Sequence, residues 1–444
     1  MHAAGRLCQS RPMTHAVVLG ASMGGLLAAR ALVGFHDRIT VVDRDPLATD
    51  VVHRRGVPQA KHFHTILLRG KQALDEMFPG FSDELVAAGA VPVGFNVDAR
   101  FVLAGHPMVR TDTGAADIQA TRPMLEGAVR ARVASYPGVE FLPDTDVVGP
   151  VVEGSRVTGV RVARGGAEEV LDADLVIDAM GRSGRARSWL ASLGLPTPAE
   201  DRIDVDMMYA SRLVRLETPF PDKLVLVGPV PGRPTGFALA AQEGGEWMVT
   251  QVGMAGDHPP SDEAGFLAFL KRSAPPDVQD AVAAAEPVSE IRTHRFPASL
   301  RRRYERLRGF PAGLLVFGDA MCSFNPIYGQ GMTVAALESE ALRRCLKDGE
   351  VDLATRFFRA AAKIIDPVWQ LNALGDLALP EIQGHRSLST KALNRYVARL
   401  QRVAGHDPVA ATAFIRTIGL LQPPTSILRP DVLARVVLGG MRRT

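Results

Sequence analysis

The chain has 444 residues, with 51 Lys and Arg against 48 Asp and Glu, and 46% of its residues are hydrophobic. This length predicts two or three domains of a soluble globular protein. A net charge of +3 does not imply a general affinity for nucleic acid, and no apolar run approaches the ~20 residues that cross a bilayer. Cys8, Cys322 and Cys345 have no metal-ligand or disulfide spacing, which favours a reducing, cytoplasmic location.

The first elements predict a strand, a turn, a helix and a second strand. Residues 1–13 are not expected to be a signal peptide, because they lack its apolar segment; they are interpreted as a disordered extension or as the result of an upstream start. Ala16–Leu19 is an apolar strand, Gly20–Gly25 is a turn, and 26–33 is helical in composition. Ile39–Asp43 is the next strand, so these two strands are expected to be parallel and buried.

The middle of the chain alternates between helical and β patterns. Helices are predicted over 63–77, 83–88 and 122–133, and residues 91–109 are β-like. Short strands over 139–178 predict an antiparallel meander that returns to the parallel sheet. Residues 201–295 are β-rich with one helix at 261–272, and 314–317 form a last buried strand before a helical tail.

The Gly20–Gly25 turn is typical of a site for pyrophosphate. A glycine-rich turn between a strand and a helix aims backbone N–H groups and the positive end of the helix dipole at an anion. Ser22 replaces the usual second glycine. Asp43, at the end of the second strand, can accept the hydroxyl hydrogens of an unphosphorylated ribose. Arg44 either packs over an adenine or is solvated.

A second motif runs from Gly318 to Met332, beyond the last strand. Asp319 follows four apolar residues and therefore lies at the carboxyl end of a buried strand, where it can hold hydroxyl groups of a ligand. Pro326, Gly329 and Gly331 form a loop into a helix, and such a loop can pass beneath a flat ring.

Together these motifs resemble those of FAD-dependent monooxygenases with the para-hydroxybenzoate hydroxylase fold. The run from Arg54 to His64 and the run from Cys322 to Gly331 are more narrowly similar to bacterial natural-product flavin epoxidases and hydroxylases, including polyene epoxidases of polyether biosynthesis. The resemblance also places Arg122 and the segment from Asp178 to Gly181 at the cofactor, although the family's usual Asp-Gly is Asp-Ala here. It implies an α/β fold, in which a Rossmann-like FAD-binding domain carries an inserted β-rich substrate domain and a C-terminal helical region.

The implied segments alternate along the chain. The FAD-binding domain is expected in three parts, the substrate domain in two, and the helical region at the end. In order they are 14–90 (FAD), 91–115 (substrate), 116–195 (FAD), 196–311 (substrate), 312–350 (FAD) and 351–444 (helical). The residues assigned to the cofactor are Gly20, Ser22, Met23, Gly24, Gly25, Asp43, Arg44, Arg122, Asp178, Gly181, Gly318, Asp319, Pro326, Gly329, Gln330, Gly331 and Met332.

The implied activity is monooxygenation. NAD(P)H reduces the FAD, O₂ adds to it, and a flavin C4a-hydroperoxide delivers one oxygen atom to an apolar polyene, polyketide or other natural-product intermediate, by epoxidation or hydroxylation. A separate flavin reductase is a further candidate partner. The alternatives are a flavin-dependent reductase of isoprenoid double bonds and a non-enzymatic prenyl carrier.

Two histidines are the candidate titratable groups. His62 and His64 follow Gly56-Val57-Pro58, which the resemblance places near the flavin, and His64 is assigned as catalytic. The alternative for each histidine is a structural role as a hydrogen-bonded side chain. Their spacing, without Cys or Glu partners, predicts no metal site.

Overall fold

The structure is a computed structural model that describes residues 13–47, 53–94 and 97–439. Of the extension predicted at 1–13, residues 1–12 lie outside the described residues. The described strands are β1 (His15–Leu19), β2 (Arg38–Val42), β3 (Val91–Gly94), β4 (Ala99–Leu103), β5 (His106–Pro107), β6 (Ala116–Gln119), β7 (Val139–Leu142), β8 (Thr145–Glu153), β9 (Arg156–Arg164), β10 (Ala167–Asp172), β11 (Leu175–Asp178), β12 (Glu200–Arg215), β13 (Leu224–Val227), β14 (Thr235–Ala241), β15 (Trp247–Gly253), β16 (Glu286–Pro287), β17 (Arg292–Arg302), β18 (Leu314–Val316) and β19 (Cys322–Ser323).

The helices alternate with these strands and then dominate the last hundred residues. They are α1 (Met23–Leu32), α2 (Leu68–Met77), α3 (Phe81–Ala87), α4 (Arg122–Ala134), α5 (Ala186–Ser192), α6 (Glu263–Leu270), α7 (Pro276–Ala284), α8 (Gly331–Lys347), α9 (Leu353–Asp376), α10 (Leu388–Val403), α11 (Pro408–Ile418) and α12 (Pro430–Gly439).

A five-stranded parallel sheet positions the predicted motifs. Its order is β18-β11-β1-β2-β7, and all four pairings are parallel. The β1 strand is central and its last four residues are buried, as expected for a strand covered on both faces. Because the carboxyl ends of parallel strands meet at one edge, Gly20, Asp43 and Asp319, which follow strands, and Asp178, which ends one, lie at the same edge of the sheet.

The inserted β-rich part is a nine-stranded sheet. It runs β19-β17-β12-β15-β14-β13-β4-β5, with β16 paired to β12. Helices α6 and α7 supply Phe266, Leu270 and Val278 to an apolar cluster that also contains Val249 of β15. The predicted fold class, a Rossmann-like domain with a β-rich insertion and a helical C-terminal region, is confirmed.

Three local predictions were wrong. The predicted helix over 63–77 begins only at Leu68, because the N–H groups of Phe63 and Leu67 donate to the side-chain oxygens of Thr250 and Thr333. The helix α7 was missed. Strand β7 is not part of a meander: it pairs in parallel with β2, and the antiparallel meander consists of β8, β9 and β10.

None of the described helices has both the length and the apolar character that crossing a bilayer requires. Over the same residues, no cluster of His, Cys, Asp and Glu is arranged to hold a metal ion. Cys322 and Cys345 are both buried and unbridged.

Candidate functional site

A cleft of about 790 Å³ lies between the carboxyl edge of the parallel sheet and the nine-stranded sheet. This volume falls within the range of ~300–1,000 Å³ that is usual for small-molecule and cofactor sites. One wall contains Gly20, Asp43 and Asp319, and the other contains Tyr209 and Phe296.

The first wall begins at the turn between β1 and α1. Gly20 has a φ of +103°, and a Cβ there would lie 2.7 Å from the carbonyl oxygen of Ala179, so a side chain has no room. Ser22, Met23 and Gly24 bring the N-terminus of α1 to the cleft, and the first turn of this helix carries no acidic residue. This geometry suits an anionic ligand group.

Gly25 has a packing role instead. It does not line the cleft, and a Cβ there would overlap with the carbonyl oxygen of Gly20. Because Gly25 has no side chain, α1 can pack closely against the turn. This close packing positions the N-terminus of the helix.

Asp43 lies in the cleft at the end of β2, as predicted. Its carboxylate accepts hydrogen bonds from the N–H of Ala21 at 2.6 Å and of Asp45 at 2.9 Å. Arg54 Nη1 lies 3.3 Å from the same carboxylate. These contacts fix the carboxylate beside the phosphate-binding turn, and Arg44 is an exposed residue of the cleft wall next to it.

A buried ion cluster forms part of this wall: Ser22, Arg54 and Arg122 line the cleft, and Glu126 lies behind them. The carboxylate of Glu126, which is 4% exposed, accepts from Arg54 Nη2 at 2.5 Å, Arg122 Nη2 at 3.1 Å and Ser22 Oγ at 2.7 Å. Burial acts to raise the pKa of Glu126, but Arg122 and Arg54 outweigh it and the pKa is lowered. Arg54 was not assigned to the site from the sequence, and its place in the Arg54-Arg55-Gly56 run was the only signal.

Asp178 does not reach the cleft. It is fully buried, and its carboxylate accepts from the N–H groups of Met180 at 3.2 Å and Ala186 at 2.7 Å. Gly181 and Arg182, which follow it, do line the cleft. Asp178 thus shapes the loop that carries them, and Arg182 is a cleft residue that the sequence analysis missed.

Asp319 presents a carboxylate to the cleft beyond β18. Among the described residues no hydrogen-bond or ion-pair partner holds it, and it is exposed to the interior of the cleft. The surrounding walls desolvate the carboxyl and raise its pKa, although Arg122 and Arg182 oppose this. Gly318 before it has a φ of +64°, and its N–H donates to the buried Glu338 at 2.8 Å. The Asp319 carboxylate is therefore a hydrogen-bond acceptor in a fixed position, and no donor among the described residues binds it.

The loop after Asp319 is anchored from below by helix α9. Pro326, Gly331 and Met332 line the cleft, whereas Gly329 and Gln330 do not. Gln330 is buried, and its Oε1 accepts from Asn372 Nδ2 at 2.6 Å. The loop therefore presents one side to the cleft and fixes the other to the helical region.

His62 and His64 lie on the cleft wall where the two sheets meet. His64 Nδ1 is 2.9 Å from the carbonyl oxygen of His62, and the pKa of His64 is lowered to about 4 by desolvation and by Arg122. The ring is then neutral at physiological pH, Nδ1–H donates to the carbonyl, and Nε2 carries a lone pair. His62 is buried, and desolvation together with neighbouring His294 lowers its pKa to about 3.

This arrangement fits a dinucleotide. The N-terminus of α1 offers donors for a pyrophosphate, Asp43 lies within the first wall beside it, and Asp319 offers a free carboxylate further along the cleft. The structure thus brings together most of the predicted cofactor residues; Gly25, Asp178, Gly329 and Gln330 lie behind them.

Comparison with known proteins agrees with this arrangement. No family model matches the chain. Protein Rv3254 of Mycobacterium tuberculosis is 35% identical over 455 residues, covering 97% of this chain and 94% of the relative. The 6-methylpretetramide 4-monooxygenase of Streptomyces rimosus is 28% identical over 251 residues, covering 52% of this chain and 53% of that enzyme.

Solved structures share the fold at low identity. The flavin-dependent brominase Bmp2 superimposes with a TM-score of 0.69 and 14% identity, covering 97% of this chain and 100% of the brominase. The fold is that of flavin-dependent monooxygenases, as the sequence motifs predicted, and flavin-dependent halogenases share it.

Proposed function

We propose that the chain, which belongs to the same family as Protein Rv3254 of Mycobacterium tuberculosis, is an FAD-dependent monooxygenase that uses NAD(P)H and O₂. Its substrate is an apolar natural-product intermediate, which it epoxidises or hydroxylates. The observation that carries the proposal is the carboxylate of Asp319, which faces a dinucleotide-sized cleft with no partner among the described residues.

The cleft residues fit FAD. The N-terminus of α1 would bind the pyrophosphate, Asp43 the adenosine ribose, and Asp319 the ribityl hydroxyls. Bound there, the flavin would supply the activation of O₂, which no side chain can perform. Pro326, Gly331 and Met332 would line the flavin ring on the side of the loop, and the N-terminus of α8 would favour negative charge at the ring.

The chain's own residues would then orient and shield the reacting groups. Phe296, Tyr209 and Met332 give the cleft an apolar surface beside the two histidines. An apolar wall limits the access of water to the reacting groups and favours an apolar substrate. The neutral His64 offers Nε2 as a hydrogen-bond acceptor, and we assign it as the catalytic side chain that accepts a hydrogen bond from a hydroxyl group at the reacting centre.

The experiment is a comparison of aerobic and anaerobic turnover by the purified, FAD-loaded protein. NAD(P)H and candidate polyenes and phenols are supplied, and mass spectrometry follows a product that has gained one oxygen atom from ¹⁸O₂. We expect labelled product under ¹⁸O₂ and none without O₂. Product formed anaerobically by saturation of a double bond would instead identify a reductase. A protein that takes up no flavin would contradict both.

The same assay identifies the source of electrons. If purified protein alone oxidises NAD(P)H, it reduces its own flavin; if turnover requires an added flavin reductase, that enzyme is a partner. Both outcomes are compatible with monooxygenation, because the oxygen transfer itself is read from the isotope.

A further inference from the structure

The last part of the chain carries a large excess of positive charge. Residues 382–444 contain ten Lys and Arg but only two acidic residues, Asp407 and Asp431, and therefore have a net charge of +8. The whole chain has a net charge of +3, so residues 1–381 are acidic overall, with a net charge of −5. Such an asymmetry within one chain is typical of a protein with a surface that binds a polyanion.

Four of these bases lie along one side of helix α10. A base recurs there every three or four residues, at Lys391, Arg395, Arg399 and Arg402, so the four share one side of the helix and are called the basic face below. Arg399 is half-buried and the other three are exposed. Another side of α10 carries Leu400, which is fully buried in an apolar cluster with residues of α11 and α12. The helix is thus attached through its apolar side and presents its bases to solvent.

The basic face is not neutralised by acidic side chains. Its three exposed bases form no ion pair and no side-chain hydrogen bond within the part of the chain that the structure describes. Both acidic residues of the region have other partners, because Asp431 pairs with Arg429 at 2.7 Å and Asp407 lies 3.7 Å from Arg435. Like charges on one side of a helix repel each other, and a bound anion would relieve that repulsion.

Exposed apolar side chains border the basic face at both ends. Leu388, in the first turn of α10, is 85% exposed and lies on the same side of the helix as Lys391. At the other end, Arg399 Nη2 donates to the carbonyl oxygen of Val437 at 2.7 Å, and Val437 and Leu438 are 51% and 59% exposed. Leu388 and Arg399 lie about 16 Å apart along the helix axis, so these apolar side chains do not form one continuous patch.

This combination fits the surface of a bilayer that contains anionic lipids. Lipid phosphates attract Lys and Arg, and single exposed apolar side chains can enter the boundary between headgroups and acyl chains. Duplex nucleic acid offers phosphates but no apolar layer for Leu388 and Leu438. A protein partner usually buries a continuous apolar core within its interface, which the separated side chains here do not provide.

We propose that the basic face, with Leu388, Val437 and Leu438, docks the protein reversibly on the surface of a membrane that contains anionic lipids. The bases bind the headgroups and the three apolar side chains lie just beneath them. This docking goes beyond the proposed function, because it requires neither flavin nor turnover. The apolar cluster that holds α10 also includes Phe63, which lines the cleft, so docking would bring the cleft domain to the layer in which apolar molecules collect.

Sedimentation of the purified full-length protein with vesicles tests the docking. Vesicles of phosphatidylcholine alone are compared with vesicles that also contain phosphatidylglycerol, which is anionic. We expect the protein to sediment with the mixed vesicles at low salt, to be released at high salt, and to bind phosphatidylcholine alone much more weakly. Protein that remains in the supernatant with the mixed vesicles at low salt would overturn the proposal.

A triple variant of the basic face, Lys391→Gln with Arg395→Gln and Arg402→Gln, tests where the contact lies. Each Lys or Arg near an anionic surface strengthens binding by roughly fivefold, so the triple variant should bind the mixed vesicles about 100-fold more weakly than the wild type. All three positions are exposed, and thermal unfolding verifies that the variant is folded.

The matched control removes the same charge elsewhere. It combines Lys271→Gln, Arg161→Gln and Arg164→Gln, which are exposed positions outside the helical region. We expect this control to bind the mixed vesicles like the wild type. Equal losses in the two triple variants would show that only the net charge of the protein matters, and would contradict docking through α10.

A double variant, Leu388→Ser with Leu438→Ser, separates a membrane from other polyanions. It should weaken binding to the mixed vesicles by about tenfold, because two apolar side chains no longer leave water, and it should leave any binding to a duplex DNA probe unchanged. If the wild type bound the DNA as tightly as the vesicles and the double variant changed neither, the basic face would be a general polyanion site and the proposal would be wrong. The vesicle assays use flavin-free and FAD-loaded protein alike, so a failure of flavin uptake would contradict the proposed function and leave the docking result unaffected.

Discussion

Tyr328 Oη donates a hydrogen bond of 2.9 Å to Asp376 Oδ1, and this contact fastens the loop below the cleft to the end of helix α9. The same oxygen accepts from Asn325 Nδ2 at 2.8 Å. Gly375 makes room for the phenol, because a Cβ there would overlap with Tyr328 Oη. The helical region therefore determines where the 325–331 loop lies.

Asp376→Asn is expected to change how stability depends on pH. Burial raises the pKa of Asp376 to about 6, although its bonds to Asn325 and Tyr328 oppose this. Between about pH 4 and 6 the unfolded chain loses this proton first, so the wild-type free energy of unfolding falls as pH rises, by up to about 3 kcal/mol. Asparagine does not titrate, and the variant should gain stability relative to the wild type across this window.

Urea unfolding followed by tryptophan fluorescence at several pH values measures this difference. Asp280→Asn, at an exposed position on α7, is the matched control and should run parallel to the wild type. A difference between Asp376→Asn and the wild type that stays constant with pH would show that Asp376 does not titrate in this way.

Asp319→Ala should separate cofactor affinity from stability. The carboxylate has no protein partner among the described residues, so its removal should leave the melting temperature of the flavin-free protein unchanged or slightly higher. It should weaken FAD binding by about 10- to 100-fold, the usual effect of losing a hydrogen bond to a charged group. Flavin titration by fluorescence quenching gives the affinity, with Asp280→Ala as the control. If Asp319→Ala bound FAD with the affinity of the wild type, Asp319 would not be part of the FAD site.

Glu126→Gln should be strongly destabilising. Its carboxylate compensates Arg54 and Arg122, which are both buried, and removing one partner from a buried ion cluster costs about 3–5 kcal/mol. The comparison is Glu84→Gln, which breaks the partly exposed ion pair with Arg132 and should cost about 1 kcal/mol or less. Chemical denaturation of both variants tests the contrast. Similar losses in the two variants would mean that the buried cluster contributes no more than a surface pair.

His64→Ala should slow oxygen transfer while FAD remains bound. Loss of the acceptor Nε2 is expected to reduce turnover by roughly tenfold, in keeping with one hydrogen bond. Because the pKa of His64 is about 4, this side chain should add no inflection to the wild-type rate above about pH 5. His385→Ala, at an exposed position, is the control. Unchanged turnover in His64→Ala would show that His64 has a structural role and takes no part in oxygen transfer.

The turn and strand-end motifs could be found from the sequence because each is local. Gly20 and Asp43 follow short apolar strands directly, Asp319 follows one after two residues, and the parallel arrangement of those strands places their ends together. By contrast, the Phe63–Leu67 segment looked helical, since nothing local reveals that Thr250 and Thr333 take its N–H groups. Strand β7 was misplaced for the same reason: its partner β2 is a hundred residues away.

The sequence by itself determined the fold class and the ends of the cleft, because short-range patterns of glycine, apolar residues and carboxylates decide where a strand stops and a ligand-binding turn begins. Only the tertiary structure decided which of those groups face the cleft. It buried Asp178 and Gln330 behind the wall, left Asp319 without a partner among the described residues, and placed His62 and His64 on the cleft wall beside different hydrogen-bond partners. The reason is physical: whether a polar atom is satisfied or free depends on partners distant in the chain, such as Ser211 and Asn372, which only the folded chain brings within hydrogen-bonding distance.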